Sequence, residues 1–119
     1  MVLERLIADP NARPETLLSV ANAYQQLQNP AGLETALKRL AKALPDNPEA
    51  WYDLARAQTM MRKVPEALES LKTAVILSNK RLKTNSAAKN LAQEAPKDPS
   101  FGSIRNLPDF AKAISAQEP

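Results

Sequence analysis

A chain of 119 residues is one domain's worth, and its 44% hydrophobic content is enough for a core. It holds no Cys and no His, which excludes disulfides, thiolate metal sites, cysteine nucleophiles and the commonest general base. A net charge of +3, with a pI near 9.3, is compatible with anionic partners without pointing to one.

The balance of small and ring residues points to helices. Ala occurs 20 times, Gly 2 times and Pro 10 times, and Ala suits closely packed helices better than a sheet. Pro fits a first helical turn, where a backbone N–H has no partner to lose. Pro14, Pro30, Pro48, Pro65, Pro99 and Pro108 all stand at candidate helix starts. No apolar run approaches the ~20 residues of a membrane span. The opening MVLERLIADP carries acids and lacks the long apolar centre of a signal peptide. If the sequence is complete, the expected compartment is the cytoplasm.

In chain order, Leu3, Leu6 and Ile7 share a helical face that Asp9-Pro10 ends. Met1 to Pro10 reads either as the tail of a preceding helix, hence as part of a longer parent chain, or as a plain capping turn. Arg13-Pro14 opens the next helix, with Leu17, Val20, Ala21 and Tyr24 at i, i+3, i+4 and i+7. Asn29-Pro30 caps another, whose apolar stripe is Leu33, Ala36, Leu37, Leu40 and Ala43, ending at Pro45-Asp46. Asn47 is then an N-cap, Pro48 a first helical residue and Glu49 a partner for the helix's positive end. Trp51, Leu54, Ala55, Gln58 and Met61 follow on one face. Val64-Pro65 starts a further helix striped by Ala67, Leu68, Leu71, Ala74, Val75 and Ile76, running to Asn79.

Trp51, Leu54, Ala55, Ala67, Leu71 and Ala74 carry a family resemblance: the stretch from Asn47 to Asn79 resembles a tetratricopeptide repeat. Gln58 stands where that family prefers an aromatic residue, and Asn79 where it prefers Pro. Leu17, Val20, Ala21 and Tyr24 precede Trp51, Leu54, Ala55 and Gln58 by the family's 34-residue period. Ala36, Leu40 and Ala43 have the right mutual spacing but sit three residues late, which predicts a longer inter-helix turn and a shorter exit loop there. The resemblance implies an all-α, right-handed superhelical stack of antiparallel helix pairs in a single domain. Residues 1–10 would be the end of a preceding or capping helix, 14–45 the first repeat, 47–79 the second and 85–116 the C-terminal capping helices.

Beyond Asn79 the pattern fades into a basic run, Lys80, Arg81 and Lys83. Asn85 to Ala95 reads as a short helix with Ala88, Leu91, Ala92 and Ala95 inward, ended by Pro96. Asp98-Pro99-Ser100-Phe101 with Ile104, and Leu107-Pro108-Asp109-Phe110 with Ile114, predict two short helices that each fix one Phe and one Ile into the stack. Their rhythm is similar to the closing segment of many bacterial tetratricopeptide proteins. A stack of this kind takes about three repeats to be stable, so the pieces flanking two repeats must cap it.

Enzyme signatures are missing. Lys72-Thr73 and Lys83-Thr84 lack the glycines of a phosphate loop, and no Ser-His or Cys-His pair exists. Glu49 and Asp53, spaced i, i+4, read as dipole partners of a helix start ahead of a metal pair. No catalytic residue, cofactor or metal is therefore expected.

The resemblance instead implies a concave face lined by the first helix of each repeat, holding a peptide or a segment of another protein. Its lining positions fall on Leu18, Asn22 and Gln25, then on Tyr52, Arg56 and Thr59, with Glu15 and Glu49 at the rim. The amides suit a peptide backbone, Tyr52 an apolar or ring contact, and Arg56 a carboxylate. The five polar residues with which related co-chaperones clamp a C-terminal carboxylate are not reproduced: Asn22 matches and Lys83 would, but Leu18, Asp53 and Ala87 do not. Two other readings stay open. One is a spacer or capping module of a larger, membrane-anchored protein, with no ligand of its own. The other, less favoured, is a nucleic-acid contact through Lys80, Arg81, Lys83 and Lys89, which lack interleaved aromatics. Exposed end faces of such stacks also self-associate.

Overall fold

A computed structural model describes residues 2–116, and no strand occurs among them. The helices are α1 (Val2–Ala8), α2 (Pro14–Gln26), α3 (Pro30–Ala43), α4 (Pro48–Met60), α5 (Val64–Thr84), α6 (Leu91–Glu94) and α7 (Pro108–Ile114). Two 3-10 turns, Ala95–Lys97 and Pro99–Phe101, lie between α6 and α7. Met1 lies outside the described residues. The helices stack as antiparallel neighbours, α2 on α3, α3 on α4 and α4 on α5, while α1 leans on α2 and α7 on α5.

Sequence sets these starts. Pro14, Pro30, Pro48 and Pro108 are first helical residues, and Pro65 is second in α5. Asn29 accepts from the Gly32 N–H, and Asn47 from the N–H groups of Glu49 and Ala50.

The turns that end α2 and α4 are alike, contrary to the expectation of a longer first turn. Gln28 and Arg62 both take left-handed backbone, at φ 54 and 61. The next N–H in each case, Asn29 and Lys63, returns to the carbonyl of Tyr24 and Gln58, both at 2.9 Å. These are paired helix-ending turns with a non-glycine residue in the left-handed position. The 34-residue register therefore holds: Leu33, Leu37 and Leu40 stand where α5 has Ala67, Leu71 and Ala74, and all six are buried. Ala36 is buried too, but Ala43 is exposed and Ala41 takes the inward place.

The core has two parts with α4 as their common wall. Leu54 and Ala57 pack with α2 and α3 residues such as Leu17, Val20, Tyr24 and Leu37. Tyr52 and Ala55 pack with Leu71 and Val75 of α5 and with Leu91, Phe101, Ile104 and Phe110. Trp51 is half-buried between the two, its Nε1 donating to the Pro45 carbonyl at 3.1 Å. Met61, expected on the stripe, ends α4 instead. At the other end, Leu3, Leu6 and Ile7 rest on the first cluster. Arg39 of α3 donates to the carbonyls of Ile7 and Asp9, filling acceptors that the end of α1 leaves open.

The chain beyond Asn79 differs from its expected form. α5 does not stop there, because Lys80, Arg81, Leu82 and Lys83 are good helix formers and nothing breaks the helix before Asn85. Arg81 grips Glu49 with both terminal nitrogens, at 2.6 and 2.8 Å, so this member of the basic run ties α5 to the start of α4. The expected helix from Asn85 shrinks to four residues, capped by Asn90. Ser78, buried in α5, accepts from the Leu91 N–H and donates to the Lys89 carbonyl, pinning that turn. Phe101, Ile104 and Phe110 are buried as expected, but the Phe101 unit is a single 3-10 turn, and in α7 Ala113 is buried beside Phe110 in place of Ile114.

One glycine is required by packing. A Cβ on Gly32 would stand 2.4 Å from the Tyr24 ring, which is itself buried and cannot withdraw. Overpacking of this kind costs about 1–3 kcal/mol, against about 1 kcal/mol gained by Ala in a helix. Gly32→Ala is expected to lower stability by about 1 kcal/mol net, read by urea denaturation. A neutral or stabilising result would mean that α3 slides freely on α2.

Candidate functional site

A cleft of about 340 Å³ opens between α2 and α4, floored by α3. Its volume lies at the small end of ligand clefts, about 300–1,000 Å³. Leu18, Asn22 and Gln25 line it from α2 and Arg56 from α4, so four of the six expected lining residues meet there. The three on α2 stand three or four positions apart, which is why a local pattern could place them.

Tyr52 and Thr59 do not line it. Thr59 is buried, and its hydroxyl turns back to the Ala55 carbonyl at 2.8 Å. Tyr52 is 8% exposed and lies beneath the returning C-terminal segment. Its ring meets Phe101 edge-on, with centroids 5.5 Å apart at 85°. Its hydroxyl donates to Asp98 Oδ2 at 2.7 Å. Burial first, and then the Asp98 carboxylate, push the phenol well above its usual range.

Arg56 also turns toward this segment. Its Nε donates to Ser100 Oγ at 3.1 Å and stands 3.5 Å from Asp98 Oδ2, while its other arm lies 3.5 Å from Asp53 Oδ1. Burial acts against the Asp98 charge. The Ser100 N–H, the Tyr52 hydroxyl and Arg56 outweigh it, and the carboxyl is held below the usual carboxylate range. The returning segment thus meets the edge of the cleft at Ser100, its one residue there. Of the expected rim, Glu49 is held by Arg81.

The lining residues not anticipated include Asp53, Met60 and Ser100. Met60 follows Arg56 by one helical turn and is 56% exposed, so extending the i, i+4 row from Tyr52 and Arg56 would have found it. Asp53 stands out in the sequence for its spacing to Glu49 and as a mismatch to the carboxylate clamp, not as a lining residue. Ser100 had no local signal, since its place depends on the chain folding back.

Across the described residues, no group of three or more His, Cys, Asp or Glu is placed to hold a metal ion. No helix there is long and apolar enough to cross a membrane. A family model for the tetratricopeptide repeat matches residues 14–57, which take in α2, α3 and most of α4. No curated protein and no solved structure matches the chain.

Proposed function

We propose that this chain, a tetratricopeptide repeat protein on the match over residues 14–57, binds a segment of another protein in the cleft between α2 and α4. Such repeats generally serve protein–protein interaction, and their shared residues are packing residues that leave the partner open. The observation that carries the reading is the cleft's composition. Leu18, 47% exposed, and Met60 offer apolar surface beside the amides of Asn22 and Gln25. Exposed apolar side chains next to exposed amides suit an extended peptide, whose side chains need burial and whose backbone needs partners. Because the helices are held by their own cores, little ordering entropy is lost on binding.

Selection from a random displayed-peptide library tests this. Peptides that bind the wild type are expected to lose at least about tenfold in affinity for a Leu18→Glu/Asn22→Ala variant, both side chains lying at the cleft surface. Selected peptides that bind both proteins alike would remove the cleft from the account. The spacer reading has one observation in its favour, namely that the chain's own residues 98–101 already occupy Tyr52 and Arg56. A library that yields no binder supports it.

A further inference from the structure

The charged residues lining the cleft are Asp53 and Arg56. Arg56 serves two carboxylates, Asp53 and Asp98, each at 3.5 Å. Asp98 has further donors in the Tyr52 hydroxyl and the Ser100 N–H. Asp53 has a single ion pair at a long distance, and its side chain is 45% exposed toward the cleft. Burial raises its carboxyl above the usual range by more than Arg56 lowers it. Its charge is thus under-compensated where it stands, near two exposed apolar side chains.

Arg56 would be released from Ser100 and Asp98 only if residues 98–101 lifted away. That movement would bring Phe101 and Ile104 into water, and both are fully buried. Phe101 also bridges Tyr52 and Phe110. The segment is therefore fixed, and the cation expected to meet a partner's carboxylate is already shared between two of the chain's own. Arg56 with Asp53 and Asp98 sums to one net negative charge, and of the two carboxylates it is Asp53 that lines the cleft.

We propose that the cleft takes a short peptide segment in which a Lys or Arg stands next to an apolar residue. The cation meets Asp53, the apolar side chain lies between Leu18 and Met60, and the amides of Asn22 and Gln25 bond the backbone. The proposal rests on the peptide-binding reading above and adds the sign of the ligand's charge. The chain as a whole carries +3, so its long-range field opposes a cationic ligand, and the preference is local to the cleft.

Three displayed-peptide pools decide it, each with a central Leu and randomised ends, and with Lys, Gln or Glu flanking the Leu. Binders from each pool are measured by fluorescence anisotropy on wild type, Asp53→Asn and Leu18→Ala, with circular dichroism confirming that all three fold. The Lys pool is expected to give the tightest binders, about tenfold over the Glu pool. Asp53→Asn should bring them down to the affinity of the Gln pool without changing the latter, while Leu18→Ala weakens all pools alike. Tightest binding from the Glu pool, or a Lys preference that survives Asp53→Asn, overturns the charge assignment and leaves peptide binding standing. Binding from none of the pools overturns both.

Discussion

Phe101→Ala is expected to cost about 3–5 kcal/mol, the range for truncating a buried ring. The residue is fully buried where α4, α5 and the returning segment meet. It touches Tyr52 edge-on and Phe110 at 5.9 Å, so its loss opens a cavity against two further rings that cannot both collapse into it. The same truncation loosens Asp98 and Ser100, whose bonds to Tyr52 and Arg56 depend on the turn that Phe101 anchors. Urea denaturation followed by circular dichroism gives the total loss. Trp51 fluorescence reports it where the two core clusters meet. Hydrogen exchange then separates local from global failure: protection at Leu91 and Ile104 should fall well before protection at Leu37 or Leu54. A loss below about 1 kcal/mol would show that the segment is a loose tail and not part of the core. Ile114→Ala makes a useful contrast, because Ile114 is only partly buried and should cost about 1 kcal/mol.

Much of this architecture is readable from local spacing, and the exceptions share a cause. Proline at helix starts, Asn29 and Asn47 as caps, and the inward faces of α2 and α4 all follow from rules that act within a few residues. The expected three-residue shift in α3 is absent, because the turns after α2 and α4 are alike. Leu33, Leu37 and Leu40 keep the positions that Ala67, Leu71 and Ala74 hold in α5, so larger side chains fill an unshifted frame. Gln58 departs from the family's aromatic for a visible reason: it is buried and accepts the Ser70 hydroxyl at 2.6 Å, a polar contact in place of a ring. Tyr52 was misplaced because its burial depends on Asp98 and Phe101, 46 residues away in the case of Asp98. Helical periodicity shows which face Tyr52 occupies and nothing about which distant segment arrives there. The same limit hid the diversion of Arg56 and the role of Ser100.

The second large effect lies on the other side of Gln58. Glu34, in α3, is 5% exposed and receives the Lys63 ammonium at 2.7 Å on one oxygen. Lys38 stands 3.6 Å from the other oxygen, which accepts no hydrogen bond. Burial pushes the Glu34 carboxyl up. The Lys63 hydrogen bond, the neighbouring Gln58 side chain and the charges of Lys38 and Lys63 pull it further down, so it ends below the usual range. A carboxyl lowered on folding adds stability above its unfolded value, about 4.3, and that stability is lost as pH falls through the folded value. Lys63→Met keeps the apolar stem and removes the donor. The carboxylate is then buried with Lys38 alone, its ionised form opposes folding, and its folded value should rise above the usual one. The expected loss at neutral pH is about 2 kcal/mol. That is less than the about 3–5 kcal/mol of a fully buried pair, because Lys63 is 39% exposed and Lys38 remains. The loss should shrink as pH falls toward 4, where protonation relieves the stranded charge. Asp98, also held low, weakens both proteins in acid alike and cancels in the difference. Urea denaturation of both proteins at pH 7 and pH 4 measures this. A deficit that stays constant between the two would mean that Lys63 acts through packing alone. Replacing Glu34 by Leu in the Lys63→Met background should then recover most of the loss at neutral pH, since an apolar pair leaves no charge to compensate.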